Sequence, residues 1–163
     1  MRITYAPRGI LMIDDAQIKY KNFAGKGSDY NREGDRNFAL IIPTQEMADE
    51  LIERGWNVRI KPGRMDGDAP NMYLPVAVKF NDFGPNVYLV SGRKKSRLTE
   101  EQVSMLDKIE ILSVDMDIRP YDYNMRGNTG RKAYLKSMQV TQNVDRFAAD
   151  CYEDEDPYEG GEF

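Results

Sequence analysis

Ile111-Leu-Ser-Val-Asp-Met-Asp-Ile118, the turn Arg126-Gly-Asn-Thr-Gly130 and the returning stretch Arg131-Lys-Ala-Tyr-Leu-Lys-Ser-Met-Gln-Val-Thr141 decide the fold. Leu112, Val114, Met116 and Ile118 alternate with Ser113, Asp115 and Asp117. A period of two is the mark of a half-buried strand, here with its core face on the even positions. The glycines of 126–130 supply a hairpin turn, so 131–141 returns as the partner strand. Outward from this hairpin, further strands are expected at 10–23, 36–42, 56–61, 73–80 and 86–91, each bounded by Gly, Pro, Asn or Asp.

Two short helices interrupt the strands. Thr44 can cap a helix whose apolar stripe is Met47, Ala48, Leu51 and Ile52, and Gly55 stands where a terminating glycine belongs. Thr99-Glu-Glu-Gln102 has capping-box spacing, Leu98 and Val103 fit a hydrophobic staple, and Val103, Leu106 and Ile109 follow at helical spacing. Many short strands with one or two short helices define a mainly β fold, either a small, partly closed barrel of the OB type or a β-sandwich. No internal repeat is present, and no linker precedes the C-terminal segment.

The chain has 163 residues, 40% hydrophobic and 31% charged, which suits one domain with a real core. It contains no histidine, which removes Ser-His-Asp and Cys-His catalysis and His-ligated zinc. Its one cysteine, Cys151, excludes an internal disulfide and a Cys-rich metal site. No apolar run approaches the roughly 20 residues of a spanning helix, and Met1-Arg-Ile-Thr-Tyr-Ala-Pro-Arg-Gly9 lacks a signal-peptide core. The expectation is a cytoplasmic protein.

The formal net charge of −4 hides a division. Residues 150–163 hold seven acids and no base, so removing them from 27 acids leaves 20 against 23 bases in residues 1–149, a body of net +3. This sets the expected boundary: a folded domain over 1–149 and a disordered acidic tail over 150–163 that ends in Phe163. Cations also cluster within the body. Arg93, Lys94, Lys95 and Arg97 crowd residues 91–98, while Arg119, Arg126, Arg131, Lys132 and Lys136 face only Asp122 across 119–136.

The strongest functional pattern is aromatic rings interleaved with cations on strands. Lys19, Lys21 and Phe23 fall on one face of the first strand; Arg119, Tyr121 and Tyr123 extend the long strand; Arg131, Tyr134 and Lys136 lie on its partner. Arg36, in the Gly25–Arg36 stretch, and Arg59, Tyr73, Lys79, Tyr88, Arg93, Lys94 and Lys95 extend the set. Cations that track phosphates and flat rings on which unpaired bases stack are what a single-stranded nucleic acid requires. The blander account is a solvated sheet face.

The Gly25–Arg36 stretch can form a mobile loop that closes on a phosphate backbone, although it does not match a Walker A pattern. Trp56 reads as core. Asp14, Asp15, Asp115 and Asp117 are the ligand type for Mg²⁺ in a nuclease, but no third ligand follows at a telling spacing. Exposed strand acids are the simpler account, and no metal or cofactor is expected. A metal-dependent nuclease or other DNA-processing enzyme, and a structural component with a β-rich fold, are the alternatives.

Phe23-Ala-Gly, Gly34-Asp-Arg-Asn-Phe-Ala-Leu-Ile-Ile, Gly55-Trp-Asn-Val-Arg, Arg119-Pro-Tyr and Lys132-Ala-Tyr-Leu-Lys together resemble the single-stranded DNA-binding proteins that bacteriophages encode for replication. The acidic end, with Glu153, Asp154, Glu155, Asp156, Glu159, Glu162 and terminal Phe163, is similar to the tails of bacterial and phage proteins of this kind. It departs from them in Gly160-Gly161, where the bacterial tails keep an Asp-Asp-Ile-Pro-Phe style ending. The resemblance implies a non-enzymatic OB-fold, monomeric or homodimeric, that coats unwound DNA without sequence choice during replication and recombination. Its tail would dock a polymerase, helicase or primase.

Overall fold

The computed structural model describes residues 1–145, so the tail expected at 150–163 lies outside the described residues. Ten strands form one sheet: β1 (Arg2–Tyr5), β2 (Leu11–Ala16), β3 (Ile18–Asn22), β4 (Arg36–Ile41), β5 (Arg59–Lys61), β6 (Asn71–Val78), β7 (Asn86–Ser91), β8 (Lys94–Leu98), β9 (Ile111–Met125) and β10 (Asn128–Gln142). The main path runs β1-β2-β9-β10-β6-β4-β3, with β5 beside β6 and the β7–β8 hairpin beside β10. This is the mainly β, OB-type architecture expected, with the sheet left open: among the described residues no ladder joins β3 to β1. One continuous core, from Leu11 and Ile13 through Leu40, Leu74 and Val76 to Ile118 and Val140, fills its inner face.

The β9–β10 hairpin is longer than its alternation suggested. β9 continues seven residues past Ile118, and the turn tightens to Arg126-Gly127. β10 pairs along β9 on one edge, while its other edge takes β6 at Ala133–Tyr134 and β7 at Ser137–Thr141, both parallel. Lys136 is the extra residue of a bulge between those two contacts, where Leu135 pairs with Ile118 and Ser137 with Asp117. A bulge reverses the parity of the residues beyond it. Ala133 and Leu135 are therefore buried before it, and Met138 and Val140 after it.

Two other departures from the sequence expectation share this cause. The single strand expected over 10–23 is two, β2 and β3. Each carries a bulge with a residue at positive φ: Asp15 at 57° and Tyr20 at 54°. Leu112, expected in the core, is 55% exposed, because an irregularity at the start of the β9–β10 ladder pairs Ile111 with Gln142 and turns Ile111 towards the core instead. The basic run 93–98 is largely strand β8, folded back on β7 through Gly92.

Helix α1 (Gln45–Glu53) begins as expected, with the Thr44 hydroxyl accepting from the Met47 N–H, and buries Ala48 and Leu51. The second helix is only a 3₁₀ turn over Val103–Asp107. Half of its capping box forms, the Gln102 side chain accepting from the Thr99 N–H. Trp56 is core, as expected. Among the described residues no helix is long and apolar enough to cross a membrane. Leu74→Ala should cost about 2–5 kcal/mol in urea unfolding, whereas Leu112→Ala should stay within about 0.5 kcal/mol of wild type; an equal loss at both would refute the bulged register.

Candidate nucleic-acid interface

Register alone assembles the outer face of the sheet. Lys19 pairs with Ala39, Ala39 with Pro75, Ile41 with Tyr73, and Arg59 with Tyr73. Asn37 pairs with Ala77, Ala77 with Tyr134, Tyr134 with Arg119, and Lys132 with Tyr121. Paired residues share a face. The side of β3, β4, β5, β6, β10 and β9 opposite the core therefore carries Lys19, Arg59, Lys61, Tyr73, Lys132, Tyr134, Arg119, Tyr121 and Tyr123, above a floor of Ala39, Pro75 and Ala77.

Two ring-and-cation stations stand on that floor. At the first, Tyr20 and Tyr73 meet edge to face at 5.8 Å between centroids, and Lys19 Nζ lies 4.9 and 5.1 Å from their rings. Lys61 Nζ approaches the Tyr73 ring at 5.7 Å. At the second, Tyr121 and Tyr134 meet edge to face at 5.8 Å, with Arg119 4.8 Å and Lys132 5.3 Å from the Tyr134 ring. Cations held over ring faces leave ring edges and charge presented together. Tyr73 is largely buried, whereas Tyr20 and Tyr121 are exposed by more than half.

Other residues expected at the site lie elsewhere. Phe23 is wholly buried and stacks on Phe38 at 5.4 Å, so its ring is a core element. Lys21 donates from Nζ to the carbonyls of Leu106 and Ile109, both at 2.9 Å, and so ties β3 to the 3₁₀ turn. The bulge at Tyr20 explains the split, since it ends the alternation that would have aligned Lys19 with Lys21 and Phe23. Arg36 bonds the Phe23 carbonyl and Glu100 and packs on Phe80. Arg131 falls on the inner parity, 5.5 Å over Trp56, and its Nε donates to Asp122 at 2.7 Å.

Tyr123 crosses Gly130 and accepts from the Asn57 amide at 3.1 Å; a Cβ at Gly130 would lie 2.7 Å from the Tyr123 ring. Lys79 is exposed just past β6, and Lys136 is exposed in its bulge. Tyr88 and Lys95 form a separate pair, 5.0 Å apart, on the β7–β8 hairpin, with Lys94 on the same strand and Arg93 at its turn. On β9 the outer face changes sign at Arg119, with Asp117 and Asp115 next along it. Those acids have local partners: the Asp115 carboxylate accepts from the Asp15 N–H at 2.8 Å, Asp117 from Ser137, and Asp14 pairs with Arg2. Among the described residues no three metal-ligating side chains cluster.

Three residues of the stations, Lys61, Lys132 and Tyr20, were missed in the sequence. Lys132 was within reach, since it alternates with Tyr134 along Lys132-Ala-Tyr-Leu-Lys136. Tyr20 was not, because its even position put it opposite Lys19 and only the bulge brings the two together.

The chain belongs to the phage ssDNA-binding domain family, which matches residues 2–155. Its fold is similar to solved structures of the single-stranded DNA-binding protein from bacteriophage Enc34. The form in complex with ssDNA is 17% identical, covers 89% of this chain and 93% of that one, and has a TM-score of 0.53. The C-terminal truncation is 15% identical, covers 89% and 97%, and has a TM-score of 0.52. No curated protein matches the chain.

One titration checks the placement of Arg131. Its hydrogen bond holds the Asp122 carboxyl below the usual carboxylate range, outweighing a small opposing effect of burial. A lowered folded-state pKa makes the pair's contribution present above the ordinary carboxylate range and lost as pH falls through the folded value. NMR titration of Asp122 should show the depression in wild type and its relief in Arg131→Gln; an unchanged pKa in the variant would place Arg131 elsewhere.

Proposed function

We propose that the protein binds single-stranded DNA without sequence preference, as a non-enzymatic coating protein of phage replication and recombination in the host cytoplasm. The observation that supports this most is the outer sheet face, where the two ring-and-cation stations flank a floor of small residues. Backbone phosphates meet Lys19, Lys61, Arg119 and Lys132, and unpaired bases stack on the exposed tyrosines at about 1–3 kcal/mol per base. Membership of the phage family agrees with this reading. The floor of Ala39, Pro75 and Ala77 carries no donor or acceptor in its side chains, which suits recognition indifferent to base identity.

The tail completes the proposal. Residues 150–163 carry −7, opposite in sign to the +3 body. Such a segment lies over the cationic face when DNA is absent and is displaced by phosphates, its terminal Phe163 then offering an apolar anchor to a polymerase, helicase or primase. No cofactor or metal enters this reading.

A fluorescence titration with an oligo-dT strand over a range of salt concentrations tests it. Affinity should fall steeply with salt, by about 0.7 in log–log slope for each phosphate neutralised. Tyr134→Ala should weaken binding by about 1–3 kcal/mol, and Lys132→Ala should also flatten the salt slope. Absence of binding at low salt would end the proposal. Deleting 150–163 should tighten binding; weaker binding would remove the masking role.

A further inference from the structure

The loop between β3 and β4, which the sequence allowed as a mobile loop, is laced into one arrangement. Ser28 and Asn31 exchange both backbone hydrogen bonds, at 2.8 and 3.3 Å, leaving Asp29 and Tyr30 as a two-residue hairpin tip. The Asn31 amide donates to three carbonyls, those of Lys26, Arg32 and Asp35. Asn22 closes the near side through its bonds with Lys26, and Glu33 accepts from the Gly27 N–H. At the neck, the Gly34 N–H donates to the Gly25 carbonyl at 2.7 Å. Gly25 has φ +71°, and a Cβ there would lie 3.0 Å from the Gly34 backbone, so the neck closes only with glycine.

The loop is also fastened to the binding face. Asn37 pairs with Ala77, which pairs with Tyr134, so Asn37 shares the outer face two strands, or about 10 Å, from the second station. The Asn37 amide donates to Asn31 Oδ1 at 2.8 Å and to the Asp35 carbonyl. The hub of the loop is thus bonded to the floor, while Tyr30 beside it is 98% exposed. A ring held by two rotatable bonds on a pre-formed tip orders at little entropic cost when it is covered.

We propose that Tyr30 is a further base-stacking residue, carried on a rigid wall of the binding face, with Asn31 as the positioning residue that pins the wall to Asn37. This rests on the single-strand-binding reading above and extends it from a sheet face to a groove with one raised side. Lys26 and Arg32 flank the tip in sequence but are balanced by Asp29, Glu33 and Asp35, the last paired with Arg32 at 3.5 Å, so the wall would act through its ring and not through charge.

The test is oligo-dT binding by the full chain at fixed and varied salt, with thermal melting of each variant. Tyr30→Ala should bind about 5- to 100-fold more weakly with an unchanged melting temperature and an unchanged salt slope, because a ring and not a charge is lost. Tyr30→Phe should restore most of the affinity. Asn31→Ala should weaken binding less than additively with Tyr30→Ala, since it acts through that ring. Wild-type affinity in Tyr30→Ala, beside a wild type that binds, would overturn this inference alone. Failure of the wild type to bind would overturn both readings.

Discussion

The antiparallel ladder between β9 and β10 is the constraint on which the rest of the structure depends. It supplies the central pair of the sheet, and the free edge of β10 then serves β6 and β7 in turn. The apolar side chains of β10 stand at odd positions, Ala133 and Leu135, and then at even ones, Met138 and Val140, which a regular strand would put on opposite faces. The extra residue at Lys136 resolves this by bending β10 between them and reversing its parity, so that Ala133, Leu135, Met138 and Val140 all reach one core. A regular pairing that kept Lys136 in the ladder would turn either Ala133 and Leu135 or Met138 and Val140 to the outer face.

The same ladder sets the electrostatics of the interface. Along the outer row of β9, Tyr123, Tyr121 and Arg119 give way to Asp117 and Asp115. The cationic and aromatic half lies beside β6 and β4, and the acidic half lies between β2 and the C-terminal half of β10. On the proposed reading, a phosphate chain crossing this sheet would be attracted at one half and repelled at the other, which would confine it to the stations and the loop beside them. Arg131 contributes little to that field. Its guanidinium is bonded to Asp122 and set over Trp56 on the inner parity.

Much of this was legible in the chain. The alternation at 111–118 and its glycine turn located the central hairpin, Thr44 located the start of α1, and Tyr134 with Arg119 and Tyr121 was identified as part of one surface. Several of the errors fall at bulges. Phe23, Lys21 and Leu112 each follow or adjoin an inserted residue, and a period of two carried across such a residue assigns every later side chain to the wrong face. Tyr20 was lost for the same reason.

Composition and pattern by themselves determined that this chain is a β protein with a cationic, aromatic body and an acidic end. Those properties depend on residue type and on local alternation, which are one-dimensional. Which tyrosines and cations meet was decided only in the tertiary structure. Tyr20 reaches Tyr73, and Tyr30 is raised on a loop fastened to the floor, through strand pairing and bulges between residues distant in sequence. A bulge is placed by the need of several strands to share one core. That need is a property of the packed sheet and of no single segment.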